Sequence, residues 1–276
     1  MHHSLQPADQ DGFRLISTLN PSHLPHWPNA TACAPSATAL SQSHHHHILI
    51  LDSSHNPPTR AHAHLVSTGL RRHSHTPYTA VLLLLATRNA DKGHLPASAI
   101  AHRTKLMHLL ATHLAPSVPT AIATTGCALF ADKANAFQAY LQDTHATTAR
   151  LDWITGNDTL IRIMHPKYYP APKSVRQVIV DEFLEPTRSR LLVAPRPNVG
   201  VPEGADEALI AELEASGFVV WLTGVDANEI DGVSSSLARD LRKRGHQGWQ
   251  EWVVPEVAEY IEQSRLYEDE EDTGTV

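Results

Sequence analysis

The sequence predicts an α/β protein built on a doubly wound, mostly parallel sheet. Three observations predict it. Six compact aliphatic runs, at residues 48–52, 78–86, 120–125, 151–155, 190–194 and 218–223, have the near-continuous apolar character of strands covered on both faces. Longer stretches of helical character separate them, at 59–72, 98–113, 133–143, 175–183 and 205–216. The chain has 276 residues, enough for one large domain of this kind with tails.

Taken in order, the first run ends at Asp52 and opens into SSHNPPTRAHAHL. Pro57 and Pro58 exclude helix at Asn56 and set the turn. Thr59 then reads as an N-cap, with His62 and His64 in the first turns of the following helix. A helix start presents free N–H groups and the positive end of the dipole, which suits phosphate, and an imidazole beside them adds donors. His64, two residues past His62, falls on another face. The second run, YTAVLLLLA, leads through RNADKGHLP into the 98–113 helix; beyond the third, Asp132 and Lys133 read as a helix start with complementary charge. The later stretches VRQVIVDEF and ADEALIAELEAS repeat apolar residues at helical spacing. Trp153 and Trp221 read as core, and Arg188 and Arg190 as strand-edge charges. After the last run, residues 235–244 and 255–267 read as two closing helices, the second with Pro255 in its first turn. Ligands of doubly wound sheets bind beyond the carboxyl ends of the strands, so the loop after Asp52 is a candidate site on topology alone.

The domain is assigned to residues 44–267, flanked by two tails. Residues 1–43 form a Pro/Ser/His-rich, partly flexible segment whose FRLISTL stretch is apolar enough to pack but is given no position. Residues 268–276 form an acidic tail, and the net charge of −7 is concentrated there: without the five acids Glu268 to Asp272, 24 acidic residues face 22 basic ones. A nearly neutral body argues against a nucleic-acid partner, which needs a basic face. No run approaches the roughly 20 apolar residues that cross a bilayer. MHHSLQPADQDGF lacks a signal-peptide pattern, and Cys33 and Cys127 are too few for a disulfide scaffold. The expectation is a soluble protein of the cytoplasm, with the nucleus as a further compartment and no membrane partner; oligomeric state is not legible. Of 20 histidines, His44 to His47 form a run. It reads as a polar approach to the first strand, with metal binding as the other reading.

Two motifs carry a resemblance. SSHNPPTRAH resembles the first signature of the nucleotidylyltransferase superfamily, Gly-x-Phe-x-Pro followed by His/Thr-x-Gly-His. Asn56, Pro57, Thr59 and His62 match, while Ser53 stands for the first glycine, His55 for the aromatic residue and Ala61 for the later glycine. GVSSSLARDL resembles the second signature, Ile-Ser-Ser-Thr/Ser-x-x-Arg, with Val233, Ser234, Ser235, Ser236 and Arg239 in register. Hydroxyls and N–H groups at a helix start can hold outer phosphates, and an arginine three residues on turns back to the same anion. Each stretch alone is also an ordinary capped helix. Together, each after a strand and at opposite ends of the fold, they point to the superfamily. Between them, Lys92, the His102-Arg103-x-x-x-Met107 pattern, Gly156 and Asp158 of TGNDTLIRI, Arg196-Pro197 and VVPEVAEYIEQSRLY resemble pyridine-nucleotide adenylyltransferases. The resemblance is to fungal nicotinamide mononucleotide adenylyltransferase-like proteins and spans roughly residues 48–267.

The resemblance implies a Rossmann-like nucleotidylyltransferase fold and transfer of AMP from ATP to nicotinamide mononucleotide or its acid form, giving the dinucleotide and pyrophosphate. It implies Mg²⁺ arriving with ATP, held by phosphate oxygens with few protein ligands, so no metal-ligating residue is assigned. In the roles it implies, His62, Thr59 and Arg239 act in catalysis. Ser53, Ser54, Asn56, Gly156, Asp158, Ser234, Ser235 and Ser236 bind the nucleotide, and Lys92 and Arg103 are candidates for the acceptor phosphate. Asp158 and Arg103 also read as a helix cap and a surface charge. No aromatic platform for the acceptor ring is located. The competing reading is a catalytically degenerate member that binds or hydrolyses ATP and serves a regulatory or interaction role; Ser53, His55, Ala61, the histidine-rich approach and the acidic tail motivate it. A metal-handling protein rests on His44 to His47 alone.

Overall fold

Along the central strands, side chains alternate between two apolar layers. In β2 (His46–Asp52), Ile48 and Ile50 enter one layer and Leu49 and Leu51 the other. The next strand, β3 (Ala80–Ala86), repeats the split, with Leu82 and Leu84 opposed to Leu83 and Leu85. Cover on both faces is why these runs are uniformly apolar. This computed structural model describes residues 12–20, 27–28, 46–72, 77–89, 93–115, 118–169, 171–195 and 206–268. Lys92, Cys33, His44, His45, Arg196 and Pro197, with the acidic stretch beyond Glu268, lie outside the described residues.

The other strands are β1 (Phe13–Thr18), a short hairpin of β4 (Arg88–Asn89) and β5 (Gly93–His94), β6 (Thr120–Thr125), β7 (Ala149–Gly156), β8 (Ser189–Ala194) and β9 (Val219–Trp221). The main sheet runs β1-β6-β3-β2-β7-β8-β9, parallel throughout except for the antiparallel edge strand β1. Chain order reverses between β2 and β7, and a crevice opens at the carboxyl ends of strands at such a switch point. Helices α1 (Arg60–Arg72), α2 (Ala97–Leu114) and α8 (Pro255–Gln263) cover one face through Val66, Leu106, Leu110 and Ile261. On the other face lie α3 (Phe130–His145), α4 (Asn157–Ile163) and α5 (Glu207–Ala215), which contribute Phe137, Leu160 and Leu209. Two helices after β9, α6 (Ala227–Ile230) and α7 (Ser235–Lys243), close the crevice. None of the described helices is long and apolar enough to cross a membrane.

The parallel α/β sheet is the one the sequence predicts, with local differences. The stretch expected as a helix over 175–183 is a wide-turned π-helix at Gln177–Leu184, which buries Val178, Ile179 and Val180 in succession as well as Phe183 and Leu184. Part of FRLISTL, unplaced from sequence, is β1 on the edge of β6. Trp27 is buried too, its Nε1 donating to the Pro119 carbonyl at 3.2 Å and its ring stacked on Phe137.

Two further expectations are corrected near the amino ends of the strands. His46 and His47 are not an approach to β2 but its first two residues, and both are buried. Arg190 is not a strand-edge charge: its Nε and Nη2 donate to Asp152 at 2.8 and 2.5 Å. His47 Nε2, at 2.9 Å, and the Tyr78 hydroxyl, at 2.8 Å, donate to the same carboxylate, which is wholly buried. Tyr78 is thereby drawn inward ahead of β3, which begins two residues later than the apolar run. Burial alone would raise the pKa of Asp152, but the hydrogen bonds from His47 and Arg190 and the arginine charge hold it well below the usual carboxylate range.

Candidate active site

The loop after β2 is shaped by its own backbone and by β3. Ser53 N–H donates to the Leu84 carbonyl at 3.3 Å, and His55, with φ of 45°, turns its ring into the interior. That ring is fully buried and its Nε2 donates to the same Leu84 carbonyl at 3.2 Å. Burial above all, then the neighbouring His62, lowers its pKa to about 3, so His55 is a neutral buried ring rather than a phosphate ligand. It fills the place the signature gives to an aromatic residue.

His62, in the first turn of α1, is held at both ring nitrogens. Nδ1 accepts the Thr59 backbone N–H at 3.0 Å and lies 2.7 Å from the Thr59 hydroxyl, while Nε2 sits 2.9 Å from Ser53 Oγ. Accepting at Nδ1 leaves the ring proton on Nε2, aimed across the loop at Ser53. His64 turns elsewhere, as its spacing predicts: its Nε2 accepts the Asp226 backbone N–H at 2.9 Å.

The second motif docks directly onto the first. Ser234 caps α7 by accepting the Leu237 N–H at 3.0 Å, which frees the next two hydroxyls. Ser235 Oγ donates to the Pro57 carbonyl at 2.7 Å; Arg239 donates to the Asn56 carbonyl at 2.5 Å and to Ser236 Oγ at 3.2 Å. Tyr267 donates its hydroxyl to Asn56 Oδ1 at 2.8 Å, and burial pushes that phenol up to about 12, so it stays protonated. From α2, Arg103 reaches the Ser54 carbonyl at 3.2 Å. Partial burial lowers its pKa; Tyr267 opposes the shift and Arg239 adds to it.

Two adjoining cavities, of about 480 and 210 Å³, open along the switch point and share Asp52, Ser53, Thr159 and Ser235 in their walls. Ser54, Asn56, Arg103, Ser236 and Arg239 face the larger one. Thr59, His62, Gly156, Asp158 and Ser234 face the smaller. The structure thus brings together every described residue to which the resemblance gives a catalytic or nucleotide-binding role, whereas His102 bonds Tyr260 and Met107 is core; Lys92 lies outside the described residues. Gly156 has a local reason: a Cβ there would stand 2.7 Å from Asp158 Oδ1. Ala61, in the place of the signature's later glycine, packs with Ile230 and Val233 against the smaller cavity.

No family model matches the chain. A Schizosaccharomyces pombe protein, provisionally named a nicotinamide mononucleotide adenylyltransferase, is 30% identical over 218 residues, 76% of this chain and 81% of the relative. The chain belongs to the nicotinamide mononucleotide adenylyltransferase family. Among solved structures, the Plasmodium falciparum nicotinic acid mononucleotide adenylyltransferase matches it in two complexes, with NaAD and with APC. Each has a TM-score of 0.50 at 13% identity and covers 81% of this chain and 98% of the Plasmodium chain, a likeness of fold.

The larger cavity also carries residues that the sequence did not single out. Phe130, Tyr168 and Tyr169 line it, supplying aromatic surface, and Arg88 and Arg162 add charge at its walls. Lys133, expected as part of a simple helix start, is buried with its Nζ 2.5 Å from Asp52 Oδ2. The signal available was YY after the Gly-x-Asp segment, and a strand ending in an acid, but neither is specific without the fold. Trp153 is core, as its sequence context predicts, with Nε1 donating to Ser189 Oγ at 3.1 Å. Among the described residues no group of three or more His, Cys, Asp or Glu could cage a metal, and Asp52 and Asp158 are the carboxylates lining the two cavities. That donor set fits a cation carried in on phosphate oxygens rather than one resident in the protein.

Proposed function

We propose that this protein transfers the adenylyl group of ATP to the phosphate of nicotinamide mononucleotide, or of its acid form, and releases pyrophosphate. The observation that carries the reading is the docking of the two signature loops, Ser235 on Pro57 and Arg239 on Asn56, at the place where two cavities meet. Adjoining cavities suit a displacement between two bound nucleotides. An oxygen of the acceptor phosphate attacks the α-phosphorus, the bond to the α,β-bridging oxygen breaks, and pyrophosphate leaves with the electron pair. The attacking phosphate is already an anion, so no protein base is needed, and catalysis rests on alignment and charge stabilisation.

In this reading His62 exchanges its Ser53 contact for an oxygen of the α-phosphate, and Thr59 keeps the ring turned so that Nε2–H faces the charge that grows there. The N-terminus of α7, with Ser235, Ser236 and Arg239, takes the β- and γ-phosphates that depart as pyrophosphate. Gly156 and Asp158 lie against the sugar and base of ATP, and Arg103 takes the acceptor phosphate. Mg²⁺ bound to the triphosphate would neutralise part of its charge.

The test is incubation with ATP, Mg²⁺ and nicotinamide mononucleotide, with NAD, pyrophosphate and ADP assayed separately. NAD and pyrophosphate in equal amounts are expected. ADP without a dinucleotide from either acceptor would sink the reading in favour of ATP hydrolysis by a degenerate member.

A further inference from the structure

The larger cavity holds a buried ion pair to which adenylyl transfer itself gives no task. Asp52, the last residue of β2, and Lys133, in the first turn of α3, meet at 2.5 Å with side chains 7% and 6% exposed. The same ammonium lies 4.8 Å from the centroid of the Phe130 ring, so the pair borders the aromatic end of the cavity. Its capacity is only partly used. Among the described residues Asp52 Oδ1 has no hydrogen-bond partner, and the Lys133 ammonium donates to Asp52 alone. The pair therefore offers an acceptor and donors side by side, with no net charge, next to an aromatic wall.

We infer that Asp52 and Lys133 read the ring substituent of the acceptor and select the carboxamide over the carboxylate. The inference rests on the adenylyl-transfer reading. A carboxamide gives its carbonyl to Lys133 and its NH₂ to Asp52, so both partners are satisfied. A carboxylate carries acceptors only; it gains the lysine but faces at short range the charge of Asp52, whose side chain is itself only 7% exposed. Phe130, Tyr168 and Tyr169 suit the cationic pyridinium common to both acceptors and so do not discriminate between them. Arg88 and Arg162 are exposed and Arg103 half-buried; their charge favours the phosphate, which both acceptors also share.

Initial rates with ATP, Mg²⁺ and each acceptor in turn give a ratio of kcat/KM, amide over acid, in which a general loss of fold or of adenylyl transfer cancels. The parent protein is expected to favour the amide by about tenfold or more, the scale of one charge-assisted hydrogen bond. Asp52→Asn keeps the shape, removes the negative charge and leaves Lys133 unpaired. It should move the ratio toward the acid by about tenfold, chiefly through KM. Adding Lys133→Gln to Asp52→Asn leaves a pair of amides without charge, and the gain for the acid should vanish. If Asp52→Asn does not fold, as thermal melting would reveal, Lys133→Gln alone decides: with the Asp52 charge uncompensated the ratio should move further toward the amide, and a ratio that stays put overturns the proposal. A parent that uses the acid as well as the amide, or an Asp52→Asn ratio that stays put, overturns the proposal. Absence of dinucleotide from both acceptors strikes at the adenylyl-transfer reading instead, and is told apart by the missing product.

Discussion

Two aspartates are buried in the same sheet, and their surroundings could hardly differ more. Asp152, in the amino half of β7, is wholly buried, saturated by Arg190, His47 and Tyr78, and lines neither cavity. Asp52, at the carboxyl end of β2, has one lysine and lines both cavities. Burial and charge are common to the two, so neither marks a site. What distinguishes them is hydrogen-bonding capacity left over and turned toward a cavity. The first carboxylate is spent on the fold, whereas the second has an oxygen to offer.

That contrast can be broken by experiment. Asp152→Ala leaves Arg190 buried without its counter-ion, and a loss of about 3–5 kcal/mol in unfolding free energy by urea titration is expected. Turnover per folded molecule should stay near that of the parent, and a variant that is stable but slow would erase the distinction drawn here. His62→Ala should do the reverse, lowering turnover by about 10²–10³ while the melting temperature stays close to that of the parent. Near-normal turnover would remove His62 from the chemistry.

Acid should weaken the fold from the loop side first. Unfolded His55 takes a proton near the ordinary value of 6.5, the folded ring only near about 3, so its contribution is complete above 6.5 and is lost as pH falls toward 3. Asp152 acts in the same direction lower down: its folded pKa is depressed, so its contribution is present above the ordinary value of 3.8 and disappears below it. Between pH 7 and 5 the histidine effect should be on the order of 1–2 kcal/mol, and His55→Asn should flatten it in urea titrations at the two pH values. An unchanged slope would mean that some other group titrates. The smallest effect expected is that of Ser235→Ala, which removes the hydrogen bond to Pro57; about 1 kcal/mol, or roughly fivefold in kcat/KM, is the scale of one neutral hydrogen bond.

The parts legible in the sequence are those whose physics is local. Strands covered on both faces write uninterrupted aliphatic runs, and a phosphate-binding turn needs prolines, small hydroxyls and a histidine at fixed offsets, so the sheet and the two motifs can be read directly. The edge strand β1 lacks that pattern because only one side of it is covered, and FRLIST alone does not say which edge it will join. The buried pairs are harder still. Lys133 is 81 residues from Asp52, and His47 is 105 from Asp152. Each of these residues has an adequate local explanation, as a helix-start charge or as one of a histidine run. Only the register of β2 against β7 brings His47 to Asp152, and only the packing of α3 on the sheet brings Lys133 to Asp52. The aromatic wall was missed for the same reason, since Phe130 and Tyr168 belong to different helical turns that meet only across the crevice.

The bonds that hold the first loop come from very far down the chain. Ser235 and Arg239 reach back 178 and 183 residues to the carbonyls of Pro57 and Asn56, and Tyr267 reaches back 211 to the Asn56 side chain. On the ribosome, then, the loop carrying His62 emerges about 180 residues before the groups that finish it. A nascent chain that has exposed every strand of the sheet still has this loop unbraced, and a premature stop before residue 235 would leave a largely complete sheet without the second half of its crevice. Synthesis itself withholds the site until the second motif has emerged.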